Sequence, residues 1–470
     1  MRGNGQSPTL RLAFYGDDFT GSTDALEVLA FSGLRCALFL KAPTPAMLER
    51  LGGFDAIGVA GDSRGMSPAE MDVALPPVFQ ALHALDAPIV HYKVCSTFDS
   101  SPAIGSIGRV MEIARAQIGA DAIPIVAGTP ALQRYCLFGN LFARSGTDGR
   151  VYRIDRHPIM RRHPVTPMDE GDLAAHLGRQ TALPIGNFHL PLFELAPQVR
   201  EQELDAQFAD AAAVLLDTAS SDHLTELGRL LEREAQLRRA SRKTLFAVGS
   251  SGLEYALTQW WQSQGRLPQA SRSYRHVDAA ACILAVSGSA SPLSAQQVDA
   301  AIDAGFEEIA VDATALVGDD TWQDAQATMA RRAVAALHAG RSVIIHTARG
   351  PGDARIDAMI ASLAQRGMDR EQARHQGGRL LGQRLGLLTQ AILKAAPLQR
   401  LILSGGDTSS QITQVLGPDA LEISAKLAPG APLCQVISDK EELRGLEISL
   451  KGGQMGNADF FVTALRGNNL

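Results

Sequence analysis

Aromatic side chains are scarce in this chain, at 5% of 470 residues. That leaves little surface on which nucleobases can stack. The formal net charge is −6 and no basic block stands out, so nucleic acid is not an expected partner. Long apolar runs are also missing. None approaches the roughly 20 residues that span a bilayer, and MRGNGQSPTLR lacks the apolar centre of a signal peptide. No membrane contact is expected, and the expected location is cytoplasmic. There is no CxxC pair. The five cysteines, Cys36, Cys95, Cys136, Cys282 and Cys434, are odd in number and widely spaced, which speaks against a structural zinc site and for reduced, partly buried thiols. Neither GxxxxGK[ST] nor a GxGxxG after the first strand occurs, so neither a P-loop nor the dinucleotide fingerprint is supported.

What is present reads as globular α/β. Hydrophobic residues make up 46% and charged residues 20%, ordinary values for a folded protein, and the length suits two or three domains. RLAFYG, CALFLK, DAIGVAG, PIVHYKV and AIPIVAG read as strands, with helical patterns in STDALEVLAFSG, EMDVALPPVFQALHAL and GSIGRVMEIARAQIG. Continuously apolar strands alternating with helices imply parallel sheets covered on both faces. The pattern lapses in WQSQGRLPQASRSYRHVDAA, residues 261–280, and restarts at ACILAVSGSAS. The expected architecture is two α/β domains with mainly parallel sheets and an interdomain cleft, spanning 10–262 and 280–465.

Ligands of such sheets bind outside the carboxyl ends of the strands. In the first domain those ends carry GDDFTG, GDSRG, KVCSTFDSS and AGTPALQRY. Their chemistry is that of Asp17, Asp18, Arg64, Lys93, Ser96, Thr97 and Asp99. Arg64 suits a carboxylate by its fork and Lys93 as a point charge, while acids and hydroxyls suit sugar hydroxyl groups. Salt bridges among these same residues are the other arrangement the set allows. His91, His157 and His163 lack metal-motif spacing, and structural roles are expected for them. No metal cluster is read from the sequence.

The second domain has a different grammar. SGGDTSS, residues 404–410, follows the strand RLILS and precedes a helical run. Gly405 and Gly406 let backbone amides approach an anion, Thr408 and Ser409 are suited to capping, and Asp407 suits magnesium or a proton-accepting role. A tight turn with an Asp/Thr cap explains the same residues. Ser287, Gly288 and Ser289 in AVSGSASP, with Pro292 suited to a first helical turn, repeat the pattern. So do Gly350 in TARGPGD and Lys451–Gly452 in KGGQMG. Four such loops in one α/β domain point to a nucleotide site.

GDDFTGSTDA, GDSRG, HYKVCSTFDSS with IGSIG, GSSGL, VSGSAS, SGGDTSS and KGGQMGNADFF, in this order, resemble the four-carbon acid sugar kinases. That family includes threonate, erythronate and 3-oxo-tetronate kinases, was long catalogued as a domain of unknown function, and has members named as type III effectors. The likeness runs from about residue 10 to about residue 465. It implies a sugar-acid-binding N-terminal domain and a nucleotide-binding C-terminal domain, with ATP and Mg2+ used to phosphorylate the terminal hydroxyl of a four-carbon sugar acid. It places Asp17, Asp18, Arg64 and Lys93 at the acid, with Ser96 and Thr97 beside them. It places Ser287 to Ser289, Gly405 to Thr408, Lys451 and Gly452 at the nucleotide. Two strings depart from the family. Cys95 stands where D-S-T-x-R-G has its first Asp, and CSTFDS resembles the 3-oxo-tetronate branch. In PALQRY, Gln133 and Arg134 stand where P-x-x-G-R-T has Gly–Arg.

On this reading Asp17 and Asp18 bind hydroxyls, Asp18 and Asp407 are the candidate bases, and Thr20 and Ser22 cap the following helix. A non-catalytic sugar-acid-binding or effector protein on the same fold is the alternative. A lyase or isomerase would need a metal cluster or a Schiff-base lysine in the first domain, for which Lys93 is the candidate. A homodimer is compatible with this chain length, although no patch in the sequence specifies one.

Overall fold

A computed structural model describes residues 10–146, 148–163, 165–267 and 277–467. The chain forms two compact units, Met1–Arg272 and Ser273–Leu470. Of the stretch 261–280, read as a linker, 261–263 complete the helix Gly252–Ser263, and 268–276 lie outside the described residues.

The first unit carries β1 (Leu12–Gly16), β2 (Cys36–Phe39), β3 (Ala56–Ala60), β4 (Ile89–Lys93), β5 (Ile123–Val126), β6 (Arg134–Leu137), β7 (Asn140–Arg144), β8 (Val151–Arg153), β9 (Ile185–Phe188), β10 (Ala213–Leu216) and β11 (Leu245–Gly249). Its main sheet has the order β2-β3-β1-β4-β11-β5-β10-β9 and is parallel throughout. The apolar strands expected from sequence are buried on both faces, as LAFYG of β1 shows. From β1 the chain steps out to β2 and back to β3 on one side, then crosses to β4 on the other. The strand order therefore reverses between β1 and β4, the topological position where ligands of open α/β sheets bind.

The second unit carries β12 (Leu284–Ser287), β13 (Glu307–Ala310), β14 (Val343–His346), β15 (Arg400–Ser404), β16 (Ala420–Ala428), β17 (Ala431–Ile437) and β18 (Glu447–Lys451), in the order β13-β14-β12-β15-β18-β17-β16. The pairings from β13 to β18 are parallel, and those of β18 with β17 and β17 with β16 are antiparallel. Here the order reverses between β12 and β15. Each unit is thus mainly parallel α/β with one reversal point.

Two features departed from the sequence reading. The segment after AGTP folds back as the antiparallel ribbon β6-β7-β8, and β16 and β17 form a long hairpin. Neither shows the strand–helix alternation that marked the rest.

Beneath the first reversal point, Tyr15 of β1 and Tyr92 of β4 stack at 5.8 Å with 10° between their planes, and Phe79 meets both edge-on. The Tyr92 hydroxyl shares a 2.8 Å hydrogen bond with Ser63, so the core reaches up to the loop that carries Arg64. Beside Tyr92, the fully buried His91 Nδ1 lies 2.6 Å from Glu254 Oε1, fixing β4 against the helix Gly252–Ser263. Glu254→Leu leaves that imidazole nitrogen without its partner. It is expected to lower stability by about 1–3 kcal/mol, read as a fall in the denaturant midpoint; an unchanged midpoint would show that this pair does not hold β4 in place.

Candidate functional site

Asp17 follows β1 directly and is 5% exposed. Its amide donates to the Lys93 carbonyl at 2.8 Å, and its own carbonyl accepts from the Arg64 amide at 3.0 Å. Arg64 grips the carboxylate through Nε to Oδ2 at 3.1 Å and Nη2 to Oδ1 at 2.9 Å, while Nη1 pairs with Asp18 Oδ2 at 2.7 Å. Burial disfavours the Arg64 charge, but Asp17 overrides it and holds the guanidinium more firmly protonated than usual. The fork that the sequence offered to a ligand carboxylate is therefore committed to two carboxylates of its own chain. This is the salt-bridged arrangement the same residues allowed.

Asp18 also caps the helix Phe19–Phe31, its Oδ1 accepting from the Gly21 amide at 2.6 Å. That corrects the reading of Thr20 and Ser22 as caps. Both lie inside the helix, and Ser22 Oγ donates back to the Asp18 carbonyl at 2.6 Å. The short Asp side chain reaches the third amide of the helix, so the helix starts earlier than its apolar pattern suggests.

Lys93 is 2% exposed, donates to the Val94 carbonyl at 3.0 Å, and lies 3.8 Å from Asp24. Burial opposes its charge, yet Asp24 and then Asp17 keep its pKa above the ordinary lysine value. A lysine held as the cation is unsuited to forming a Schiff base. Asp24 was missed in the sequence because it reads as one more polar residue on a helix. Thr97 donates to Asp99 at 2.5 Å and contacts the Cys95 sulfur at 3.0 Å, and Ser96 beside them is half-buried. The histidines have structural partners. His157 Nδ1 accepts from the Ile159 and Met160 amides at 3.3 Å, and His163 Nδ1 from the Thr166 amide at 3.1 Å.

In the second unit, three neighbouring strands end in glycine-bearing loops: β12 in Ser287–Ser289, β15 in Gly405–Thr408 and β18 in Lys451–Gly453. Gly288 N donates to the Ser404 carbonyl and Gly405 N to the Lys451 carbonyl, both at 2.9 Å. A Cβ on residue 288 would fall 2.0 Å from Thr408 Oγ1, and Gly405 has φ 107, a region that disfavours a side chain. Glycine is what lets these loops lie against one another. The third loop is tied to the helix Pro292–Asp303, because Ser294 Oγ donates to the Gly453 carbonyl and Gln297 Nε2 to those of Met455 and Asn457. Gly350, with φ 103, ends β14 on the far side of β12.

The helix Gly406–Leu416 has Gly405 at its N-cap with no side-chain cap, which corrects the reading of Thr408 and Ser409 as caps; both lie within the helix. Its first amides are left for another acceptor. Asp407 in that first turn is exposed. The Ser287 and Ser404 hydroxyls are buried without a hydrogen-bond partner among the described residues. Lys451 is 1% exposed, and among the described residues its ammonium touches the Gly452 carbonyl at 3.1 Å and the Phe460 ring at 5.7 Å. Burial lowers its pKa to about 8. Among the described residues, uncapped amides, buried hydroxyls and an ammonium with no carboxylate beside it make a set of donors chemically suited to phosphate oxygens. Among the described residues no cluster of three or more His, Cys, Asp or Glu is placed to hold a metal, and no helix is long and apolar enough to cross a membrane.

Residues 12–257 match the family model for a sugar-binding N-terminal domain, and residues 284–461 that for a nucleotide-binding C-terminal domain. A 3-oxo-isoapionate kinase from Paraburkholderia graminis is 43% identical over 96% of this chain and 93% of its own length. A 3-oxo-tetronate kinase from Cupriavidus necator is 30% identical over 97% and 96% of the two chains, and a D-threonate kinase from Salmonella typhimurium 28% identical over 97% and 98%. Among solved structures, a Salmonella typhimurium protein described as a putative tRNA synthase superposes with a TM-score of 0.74 at 22% identity, over 97% of this chain and 99% of that one. A Haemophilus influenzae protein from a family of unknown function gives 0.71 at 21%, over 96% and 98%; both show the shared fold. The chain belongs to the four-carbon acid sugar kinase family.

Lys451 yields a test of this donor set in the ligand-free protein. Its folded pKa of about 8 lies below the ordinary lysine value of 10.5, so its charge destabilises the fold fully below about pH 8. The effect fades as pH rises toward the unfolded value. Lys451→Met is therefore expected to be more stable than the wild type at pH 7 by up to about 3 kcal/mol, with the gap closing between about pH 8 and 10.5. A gap that does not change with pH in denaturant titrations would refute the assignment.

Proposed function

We propose that this member of the four-carbon acid sugar kinase family transfers the γ-phosphoryl group of ATP to the terminal hydroxyl of a 3-oxo sugar acid, of the 3-oxo-tetronate or 3-oxo-isoapionate kind. The observation that carries the reading is Lys451, a buried ammonium with no carboxylate partner among the described residues, at the meeting of three glycine loops. A cation so placed is stabilised when phosphate oxygens arrive. The relatives named above act on 3-oxo acids or threonate by their names, and no observation favours a purely binding role.

In this proposal the first unit holds the acceptor. Asp17 and Asp18, both paired with Arg64, accept hydrogen bonds from sugar hydroxyls, and Lys93, Ser96 and Thr97 complete that edge. The second unit holds the nucleotide. Ser287, Gly288, Ser289, Gly350, Gly405, Gly406, Thr408 and Gly452 present amides and hydroxyls, and Lys451 neutralises phosphate charge. Transfer breaks the bond from the γ-phosphorus to its bridging oxygen and forms one to the acceptor oxygen. The acceptor proton passes to a carboxylate, and Asp18 is our assignment because it belongs to the acid-binding edge. Mg2+ bound with ATP supplies charge neutralisation, and in kinases it takes one or two carboxylates with phosphates and water. The exposed Asp407 on the phosphate-facing helix fits that demand. Positioning and electrostatics carry most of such a reaction, and a base contributes less.

ADP release measured over a panel of four- and five-carbon sugar acids, 3-oxo acids included, tests the reaction. No turnover with any of them would refute it. With the best acid, Lys451→Ala is expected to lower kcat/KM for ATP about 100-fold, or about 2.7 kcal/mol. Asp407→Asn should raise the Mg2+ concentration needed for half-maximal rate, and Asp18→Asn should lower kcat. Near-normal turnover in both Asp variants would remove these assignments. We also propose a cytoplasmic homodimer, from composition and chain size; light scattering of the purified protein checks the oligomeric state.

A further inference from the structure

Arg134 differs from Arg64 in one respect that matters for an acid substrate. It opens β6 at the end of the loop that follows β5, on the same strand-end edge as Asp17 and Lys93. Its Nη1 donates to three backbone carbonyls, Leu132 at 3.0 Å and Gln133 and Arg144 at 3.3 Å. Its Nε is buried with no hydrogen-bond partner. Among the described residues no acceptor engages Nη2 and no carboxylate pairs with the side chain. Nε and Nη2 form the edge with which Arg64 holds Asp17 two-pronged. In Arg134 that edge has no counterpart among the described residues.

The side chain is held still. The Arg134 amide donates to the Thr129 carbonyl at 3.2 Å, and the Arg134 carbonyl accepts from the Thr129 amide at 2.9 Å. Thr129 is itself joined to Ser250, after β11, by a 2.6 Å hydroxyl contact. Gln133 takes a left-handed φ of 56, the conformation a glycine adopts freely. Gln133 Oε1 accepts from Arg144 Nη1 at 2.8 Å, which fixes the turn further. Electrostatically, Arg134 faces the Cys95 thiol, which burial keeps above its ordinary pKa and so neutral. Burial without a counter-charge lowers the pKa of Arg134.

We infer that Arg134 binds the carboxylate of the sugar acid through its Nε–Nη2 edge, and so selects acids over neutral polyols, while Arg64 positions Asp17 and Asp18. The inference rests on the kinase reading above and names the group that recognises the acid. A loop staple alone would explain Nη1, since its three carbonyl contacts need no charge. It would not explain an Nε buried without an acceptor, an arrangement that costs about 1–3 kcal/mol. An incoming carboxylate satisfies both remaining donors with charge-assisted bonds.

The test compares the preferred 3-oxo acid with its analogue bearing a primary alcohol in place of the carboxylate. Arg134→Gln is expected to raise KM for the acid about 100-fold, leave KM for ATP within about threefold, and leave KM for the neutral analogue nearly unchanged. Its thermal midpoint without ligand should match or exceed that of the wild type, because an unsatisfied buried charge has been removed. Arg134→Lys, which keeps the charge without the two-pronged edge, should recover part of the acid preference. An intact acid preference in Arg134→Gln would overturn the inference, and so would equal losses on acid and neutral analogue. Should Arg134→Gln not fold, an unchanged preference in Arg134→Lys would overturn it as well. Acid-induced thermal stabilisation without ATP separates the two readings. If the wild type turns over no acid yet is stabilised by one, and Arg134→Gln is not, the kinase reading fails and the carboxylate site stands.

Discussion

The grip of Arg64 on Asp17 is the interaction on which the strand-end edge of the first unit depends. Asp17 is almost fully buried, and burial raises its carboxyl pKa above the ordinary value. The guanidinium opposes that at hydrogen-bonding distance through two nitrogens. Breaking such a pair leaves an uncompensated buried charge, at a cost of about 3–5 kcal/mol. The pair also ties two neighbouring strand ends, since Asp17 leaves β1 and Arg64 lies just beyond β3. With its third nitrogen the same arginine holds Asp18, which at that moment is also starting a helix. One side chain thus fixes two carboxylates, a helix start and the mouth of the sheet.

Cations fall into two groups when judged by what faces them. Arg64 and Lys93 are matched by Asp17, Asp18 and Asp24, and they organise the chain itself. Lys451 is buried and Arg134 half-buried, and among the described residues neither has an acidic partner, so burial works against their charge. An unmatched buried cation is stabilised by an anionic ligand, and the two occur in the unit whose chemistry suits each ligand. Lys451 stands among phosphate-sized loops, and Arg134 stands on the edge lined with acids and hydroxyls. Recognition of an anion here depends less on how many basic residues a unit has than on which of them the fold leaves unpaired.

Much of this was legible in the sequence. Strand–helix alternation indicated two mainly parallel α/β units because apolar strands without polar alternation are stable only when covered on both faces. The loops with Asp17, Asp18, Lys93, Gly288, Gly405 and Lys451 fell at strand ends because chain reversal demands glycine and small polar residues there. The ribbon β6-β7-β8 and the hairpin β16–β17 were not legible. Antiparallel strands at such positions carry no helix between them to set the period. Asp24 was missed because a carboxylate on a helix face looks solvated until its lysine partner is known. The caps were misplaced for a related reason: Asp18 and Gly405 each start a helix before its apolar repeat begins.

The sequence by itself determined the class of chemistry: acids and hydroxyls with a lysine and arginines in one half, glycine loops with a lysine in the other. These depend on residue type and order along the chain, which local propensity and strand-end chemistry can read. Only the tertiary structure decided which charges meet. Arg64 is 47 residues from Asp17 in sequence yet bonded to it twice, while Arg134 keeps one edge of its guanidinium without a partner. Pairing of charges is set by which strand ends the sheet order makes neighbours, and that order is a property of the folded chain, with no counterpart in the spacing of residues along it.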